Sequence, residues 1–234
     1  MIRVEESTVR ARLAEVERTV AEALQRAGRE RDKTRILIAT KYYEPEQMRA
    51  LLAAGVRLVG ENRAQDLARK QELFGDDFEW HFIGHLQRRK ARDVSHAVGL
   101  IHSVDSVRLV EELGNKGPES GAEVLLQVNV SGEESKYGVS ENEVEPLLEA
   151  AAATEGRVRV RGFSTVAPQV AEAEEVRYVF AKLNAIRDRL RQSWSPHFDL
   201  SELSMGMSGD YAVAVEEGAT LVRIGRKIIE EDGP

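Results

Sequence analysis

The chain has 234 residues, 42% hydrophobic and 31% charged, with a formal net charge of −7 and no cysteine. This composition fits a soluble globular protein with one sizeable core. The acidic balance excludes a general nucleic-acid binder, which needs a basic surface, and the lack of cysteine excludes disulfides, thiol nucleophiles and thiolate metal centres.

The N-terminus Met1-Ile2-Arg3-Val4-Glu5-Glu6 has no apolar signal core, and no run is long enough to span a bilayer. The expected location is the cytoplasm, with no membrane partner. Residues 7–27 then repeat Val9, Leu13, Val16, Val20 and Leu24 at helical spacing, which predicts an amphipathic helix closed by Gly28. After it, short apolar runs alternate with helical patterns. The expected strands are 36–40, 56–60, 79–83, 100–104, 123–130, 158–162, 202–205 and 221–224. The helices between them fall at 45–54, 63–73, 87–97, 106–114, 141–154, 171–191 and 210–217.

Eight strands separated by helices predict parallel βαβ units. Their simplest closure at this length is an α/β fold with a single (β/α)8 TIM barrel, spanning residues 1–234 as one domain with an extra N-terminal helix. An open doubly wound sheet is the rival. It would place a glycine-rich dinucleotide loop after the first strand, where this chain has Lys41-Tyr42-Tyr43-Glu44-Pro45. No linker, low-complexity tract or internal repeat interrupts the alternation.

Lys41 stands at the mouth of the first strand. There it is expected to be partly desolvated, which lowers an amine's pKa and readies it to attack a carbonyl. Functional groups of such barrels gather at the C-terminal strand ends. After strands one to eight in turn, that rim receives Lys41, Glu61-Asn62, Gly84-His85, Ser103 with Asp105, Asn129 with Ser131, Ser164-Thr165, Gly206 to Asp210, and Gly225-Arg226. Singly, each reads as a turn or cap; together they read as a site. Gly206, Gly209 and Gly225 let backbone N–H groups approach an anion, and Ser208 offers a hydroxyl, in the loops where barrels often hold phosphate. The plainer reading is that Ser208 or Asp210 caps the next helix. A reactive amine with a phosphate cradle predicts a phosphorylated aldehyde or ketone as ligand.

Arg223 lies within strand eight and needs a partner if buried. Spacing leaves open whether it faces the cavity beside Lys41 or points outward toward Glu216 or Glu217. His81 and His85 straddle a strand end without an H-E-x-x-H pattern, so hydrogen bonding rather than metal binding is expected. Arg88-Arg89-Lys90 with Arg92 reads as a solvated helix face. No G-x-S-x-G elbow, P-loop or dinucleotide motif supports a hydrolase, NTPase or dehydrogenase.

The string E-L-S-M-G-M-S-G-D from Glu202 to Asp210, followed by V-R-I-G from Val222 to Gly225, closely resembles the C-terminal pattern of the YggS/PROSC family. These are the pyridoxal 5'-phosphate (PLP) homeostasis proteins, also called PLP-binding proteins. G-E-N-R from Gly60, W-H-F-I-G-H-L-Q from Trp80 and I-H-S-V-D-S from Ile101 agree, and the resemblance runs from Ile36 to Gly225. It implies the barrel of the alanine racemase N-terminal domain. It also implies a Schiff base between PLP and Lys41, Arg223 facing the pyridine nitrogen, Ser208 and the Gly225 turn at the phosphate, and Asn62 near the ring. With Met207 and Arg226, these form the expected cofactor-binding set.

Three stretches depart from the family pattern. Arg226 stands where threonine is common, and either supplies a charge-assisted bond to the phosphate or swings away. Arg161-Gly162-Phe163-Ser164 replaces a stretch close to R-G-L-M, and the tail Lys227-Ile228-Ile229-Glu230 differs from the usual I-F-G ending. An arginine at the ring nitrogen disfavours its protonation and weakens the ring as an electron sink. The chain also leaves little room after strand eight for the domain that gives the racemase its second base. The resemblance therefore implies a non-catalytic, monomeric carrier that buffers PLP and delivers it to apo-enzymes. The alternatives are a PLP enzyme such as a weak amino-acid racemase, and a sugar-phosphate aldolase, which would need Glu61 as a base beside Lys41.

Overall fold

A computed structural model describes residues 5–29, 33–133 and 136–229; Met1 to Val4, read above for a signal core, and Glu230 of the tail lie outside them. Eight parallel strands pair in sequence order and close into a barrel: β1 Arg35–Ala39, β2 Leu58–Glu61, β3 Glu79–Phe82, β4 Leu100–Val104, β5 Ala122–Gln127, β6 Val158–Ser164, β7 Glu202–Met207 and β8 Leu221–Ile224. Closure pairs Leu37 of β1 with Arg223 of β8. The α/β barrel with an extra N-terminal helix is thus present as expected.

The helices are α1 Glu6–Arg26, α2 Pro45–Ala53, α3 Ala64–Phe74, α4 Ala91–Ser95, α5 Val107–Lys116, α6 Val144–Ala152, α7 Arg177–Trp194, α8 Tyr211–Glu216 and the short α9 Arg226–Ile229. α1 buries Val9, Val16, Val20, Ala23 and Leu24 against α2, α8 and α9. The sequence reading did not foresee α9. The helix expected at 87–97 shrinks to a 3-10 turn, Arg88–Lys90, and the five residues of α4. The strand expected at 123–130 stops at Gln127, because Val128 leaves the ladder to bridge Val139. β6 instead runs two residues past its expected end, since Phe163 and Ser164 still pair with Leu203 and Ser204.

Strands enclosed by helices are buried on both faces, which is why β4 reads as an unbroken buried run. The large apolar cluster lies between strands and helices, while Leu37, Leu58 and Leu221, with Ile83 against them, form a separate cluster on the inward-facing positions. That interior also holds polar groups. His81 Nδ1 lies 2.9 Å from His102 Nε2, and His102 Nδ1 lies 2.9 Å from Ser204 Oγ. β4 and β7 are not neighbours in the sheet, so the second contact crosses the barrel interior.

A second buried polar group clamps the C-terminal ends of β1 and β2. Lys70 of α3 is 1% exposed and forms an ion pair with Glu61, which is fully buried. Lys70 Nζ also donates to the Thr40 carbonyl at 2.7 Å. The Thr40 hydroxyl donates to Glu61 Oε1 at 2.6 Å, and the Asn62 N–H donates to Glu61 Oε2 at 3.2 Å. One ion pair therefore ties down the residues preceding Lys41 and following β2. Substituting Lys70→Met strands the Glu61 carboxylate in the core and should cost about 3–5 kcal/mol in denaturant unfolding. The double change Glu61→Gln with Lys70→Met should recover most of that loss.

Burial disfavours the protonated form of both interior histidines. It lowers the His81 pKa despite the opposing Glu79 carboxylate, and lowers that of His102 further, with the positive charges of its neighbours adding to the effect. Below about pH 6.5 the unfolded chain binds more protons on these imidazoles than the folded chain does, so stability must fall as the pH is lowered. Unfolding free energies should drop by about 1–3 kcal/mol between about pH 7.5 and about pH 5.5.

Candidate functional site

At the C-terminal ends of the strands the barrel opens into a cavity of about 580 Å³. Its walls include Lys41, Asn62, Met207, Ser208, Arg223, Gly225 and Arg226, the whole set singled out in the sequence. A groove of about 550 Å³ beneath α1, lined by Leu13, Val20, Leu24 and Ile38 among others, is nearly as large. Size does not choose between them; the choice rests on where the polar groups analysed below converge.

Lys41 is carried by the one-turn 3-10 helix Thr40–Tyr42 that follows β1. Its side chain is exposed, with Nζ 4.7 Å from the centroid of the Tyr42 ring. The expected desolvation of this amine is therefore not found: the turn lifts it off the strand end into the open mouth. Glu61 does not serve as a base beside it, because that carboxylate is committed to Lys70 and Thr40 below. This removes the aldolase arrangement.

Asn62 is held from two sides. Its N–H is bonded to Glu61, and its backbone packs so tightly on Gly84 that a Cβ there would lie 2.0 Å from the Asn62 carbonyl oxygen. Its own Oδ1 is buried and has no hydrogen-bond partner among the described residues. A buried acceptor left unpaired beside a cavity is costly unless a ligand completes it.

Arg223 faces inward, which resolves the alternative left open by spacing. Its Nη1 donates to the Ser204 carbonyl at 2.8 Å and to Ser204 Oγ at 2.7 Å, and its Nη2 donates to the Thr165 carbonyl at 2.8 Å. Glu216 and Glu217 are instead taken by Arg177, at 2.6 Å each. A guanidinium has five N–H groups; three are used here, which leaves Nε–H and one Nη2 proton without a hydrogen-bond partner among the described residues. Burial pulls the Arg223 pKa down to about 10, opposed by the Asp210 carboxylate. Burial also raises the Asp210 pKa, against the Met207 N–H and the charge of Arg223.

The loops after β7 and β8 meet at Ser208. Its Oγ accepts the N–H of Gly225 at 3.3 Å and the N–H of Lys227 at 3.4 Å. Asp210 Oδ1 accepts the Met207 N–H at 2.6 Å, and no side chain caps the start of α8. Capping is therefore not what Ser208 or Asp210 does here. Gly206 has a packing role as well. At φ +92° its missing Cβ would lie 2.6 Å from the Ala214 Cβ, so glycine is required to seat α8 on β7. Gly225 is buried against Ala39 and Tyr42. Arg226 opens α9 with an exposed side chain on the cavity wall.

The other rim residues support the walls. His85 stacks on Tyr137 at 4.3 Å between ring centroids and lies 3.5 Å from Asp105. Asn129 accepts from Ser131 and Gly132 within its own loop. Thr165 Oγ1 donates to the Val128 carbonyl, and Ser164 Oγ to the His102 carbonyl. Ser103 is buried, and its Oγ finds no partner among the described residues. No group of three metal-ligating side chains occurs among the described residues. Nor is any described helix long and apolar enough to cross a membrane. Sequence reasoning missed Lys136, whose Nζ donates to the Ala167 carbonyl at 2.8 Å, and the wall from Val166 to Ala171. Placement after strand six was the only signal for that wall, and Lys136 offered none.

Residues 12–229 match the family described as alanine racemase, N-terminal domain. The chain is 40% identical over 223 residues to the pyridoxal phosphate homeostasis protein of Aquifex aeolicus, covering 94% of this chain and 96% of that one. Among solved structures it resembles an unknown protein from Bifidobacterium adolescentis, with TM-score 0.87, 32% identity and 95% of each chain covered. It also resembles PipY of Synechococcus elongatus PCC7942 with PLP bound, with TM-score 0.78 and 30% identity over 95% of this chain and all of the other. By sequence across nearly its whole length, and by a barrel with the same architecture, the chain belongs to the family of pyridoxal phosphate homeostasis proteins built on the alanine racemase N-terminal domain.

Proposed function

We propose that this chain binds PLP reversibly through Lys41 and holds it as a cytoplasmic carrier for apo-enzymes, without turnover. The observation that carries the reading is the cavity itself, lined on one wall by the Lys41 amine, on another by Ser208, where the Gly225 and Lys227 N–H groups meet, and on a third by the Arg223 guanidinium. PLP supplies an aldehyde that combines reversibly with an amine, a phosphate and a pyridine nitrogen, one feature for each wall.

Each residue then has a defined task. Lys41 carries the covalent link, and its exposure leaves the link open to water or to an incoming amine, as release requires. The N–H groups of Gly225 and Lys227 turn from Ser208 Oγ to a phosphate oxygen, and the Ser208 hydroxyl donates alongside them. Arg226 reaches the phosphate from the exposed start of α9, in the place of a neutral hydroxyl. Asn62 Oδ1 takes a donor from the ligand, and Met207, 37% exposed, covers the bound molecule beside Ser208.

Arg223 supports the reading without turnover. Three hydrogen bonds pin its guanidinium, and a fixed positive charge there keeps a proton off the ring nitrogen. An unprotonated ring draws electrons weakly, so carbanion chemistry at a bound amino acid is little promoted.

Purified protein mixed with PLP should develop a visible absorption band that is absent in Lys41→Ala. No band in the unsubstituted protein would sink the proposal. With alanine in deuterium oxide, the loaded protein should leave the α-hydrogen unexchanged; steady exchange at catalytic protein levels would point to an enzyme instead.

A further inference from the structure

The polar groups inside the barrel form one continuous chain ending at the candidate site. At the N-terminal rim, Arg35 donates to Glu79 Oε2 at 2.6 Å. Glu79 Oε1 lies 3.1 Å from His81 Nε2, and His81 Nδ1 lies 2.9 Å from His102 Nε2. His102 Nδ1 lies 2.9 Å from Ser204 Oγ, which accepts from Arg223 at 2.7 Å. The chain passes from β1 and β3 through β4 and β7 to β8, across the interior.

Its two ends fix every proton between them. A carboxylate only accepts, so His81 Nε2 carries a proton, and in the neutral imidazole that burial favours Nδ1 is then the acceptor. His102 must then donate from Nε2, which leaves its Nδ1 as an acceptor. From the other end, Arg223 only donates, so Ser204 Oγ accepts from it and turns its own hydrogen to His102 Nδ1. Both arguments meet in the same arrangement, with two neutral imidazoles in the Nε2–H form. Hydrogen bonds from His81 and Arg35 hold the Glu79 pKa down, to about 2, which keeps it an acceptor.

Packing alone does not call for these groups. Leu37, Leu58 and Leu221 show that the interior accepts aliphatic side chains, and buried polar groups are costly unless fully paired. Here every ring nitrogen is paired, and the chain ends on the one buried cation of the cavity wall.

We infer that His81 and His102 are positioning residues for the cofactor site. They orient the Ser204 hydroxyl so that it holds the Arg223 guanidinium in the plane in which its free edge meets the pyridine nitrogen. The inference rests on the reading of Arg223 given under Proposed function, and the test separates the two.

Nitrogen NMR of the ligand-free protein should show His81 and His102 both neutral and protonated at Nε2; an Nδ1–H form of either would overturn the relay. Pyridoxine 5'-phosphate, which lacks the aldehyde and so reads the non-covalent site, should bind His102→Phe about tenfold more weakly than the unsubstituted protein. His102→Gln, able to accept from Ser204 and donate to His81, should recover most of that affinity. Inorganic phosphate should bind all three proteins alike, since its contacts lie on the other wall. Equal pyridoxine 5'-phosphate affinity in all three, or a parallel loss of phosphate binding in His102→Phe, would overturn the positioning role. If the unsubstituted protein binds neither compound, it is the PLP reading that fails, and the NMR result alone then decides the relay.

Discussion

Charge buried in the core has to be answered there, and two such answers organise this molecule. The Lys70–Glu61 pair sits below the mouth and reaches the carbonyl before Lys41 and the amide of Asn62. Arg223, at the seam where β8 meets β1, is answered by Ser204 and the Thr165 carbonyl. In each case the compensating bonds also set the direction of a group on the cavity wall. Breaking either leaves an unpaired charge in a low-dielectric interior, so stability and site geometry depend on the same contacts.

The cavity combines rigid and open parts. Arg223 and Asn62 are held by buried hydrogen bonds, whereas Lys41, Met207 and Arg226 are exposed at the mouth. The proposed carrier role needs that division. On that proposal, rigid walls would select a planar, phosphorylated ring, and an accessible amine would let the bound molecule leave. An enzyme that stabilises a carbanion would instead benefit from a closed, dry site and a protonated ring, and a fixed guanidinium opposes the second.

Much of this was legible in the sequence. The alternation of apolar runs and helical patterns located all eight strands, because enclosed parallel strands leave short buried runs that periodicity detects. The placement of polar residues just after those runs located the rim, and all seven residues singled out line one cavity. What the sequence hid were contacts between distant segments. Lys70 looks like any surface lysine on α3, yet it is buried because Glu61 waits at the end of β2. Lys41, at the mouth of a buried strand, was expected to be partly desolvated, but a single 3-10 turn lifts it into the open. Gly206 read as an anion turn, and nothing in the sequence signalled that it is also constrained by the approach of Ala214 eight residues later. Pairings that form only in three dimensions leave no periodic trace.

The central claim is that Lys41 is the covalent anchor in this cavity. The most direct test is borohydride reduction of the protein loaded with PLP, followed by peptide mass mapping of the modified lysine. One adduct, on Lys41, is the predicted result. An adduct on Lys136, the other lysine of the cavity wall, or label spread over several surface lysines, would contradict it.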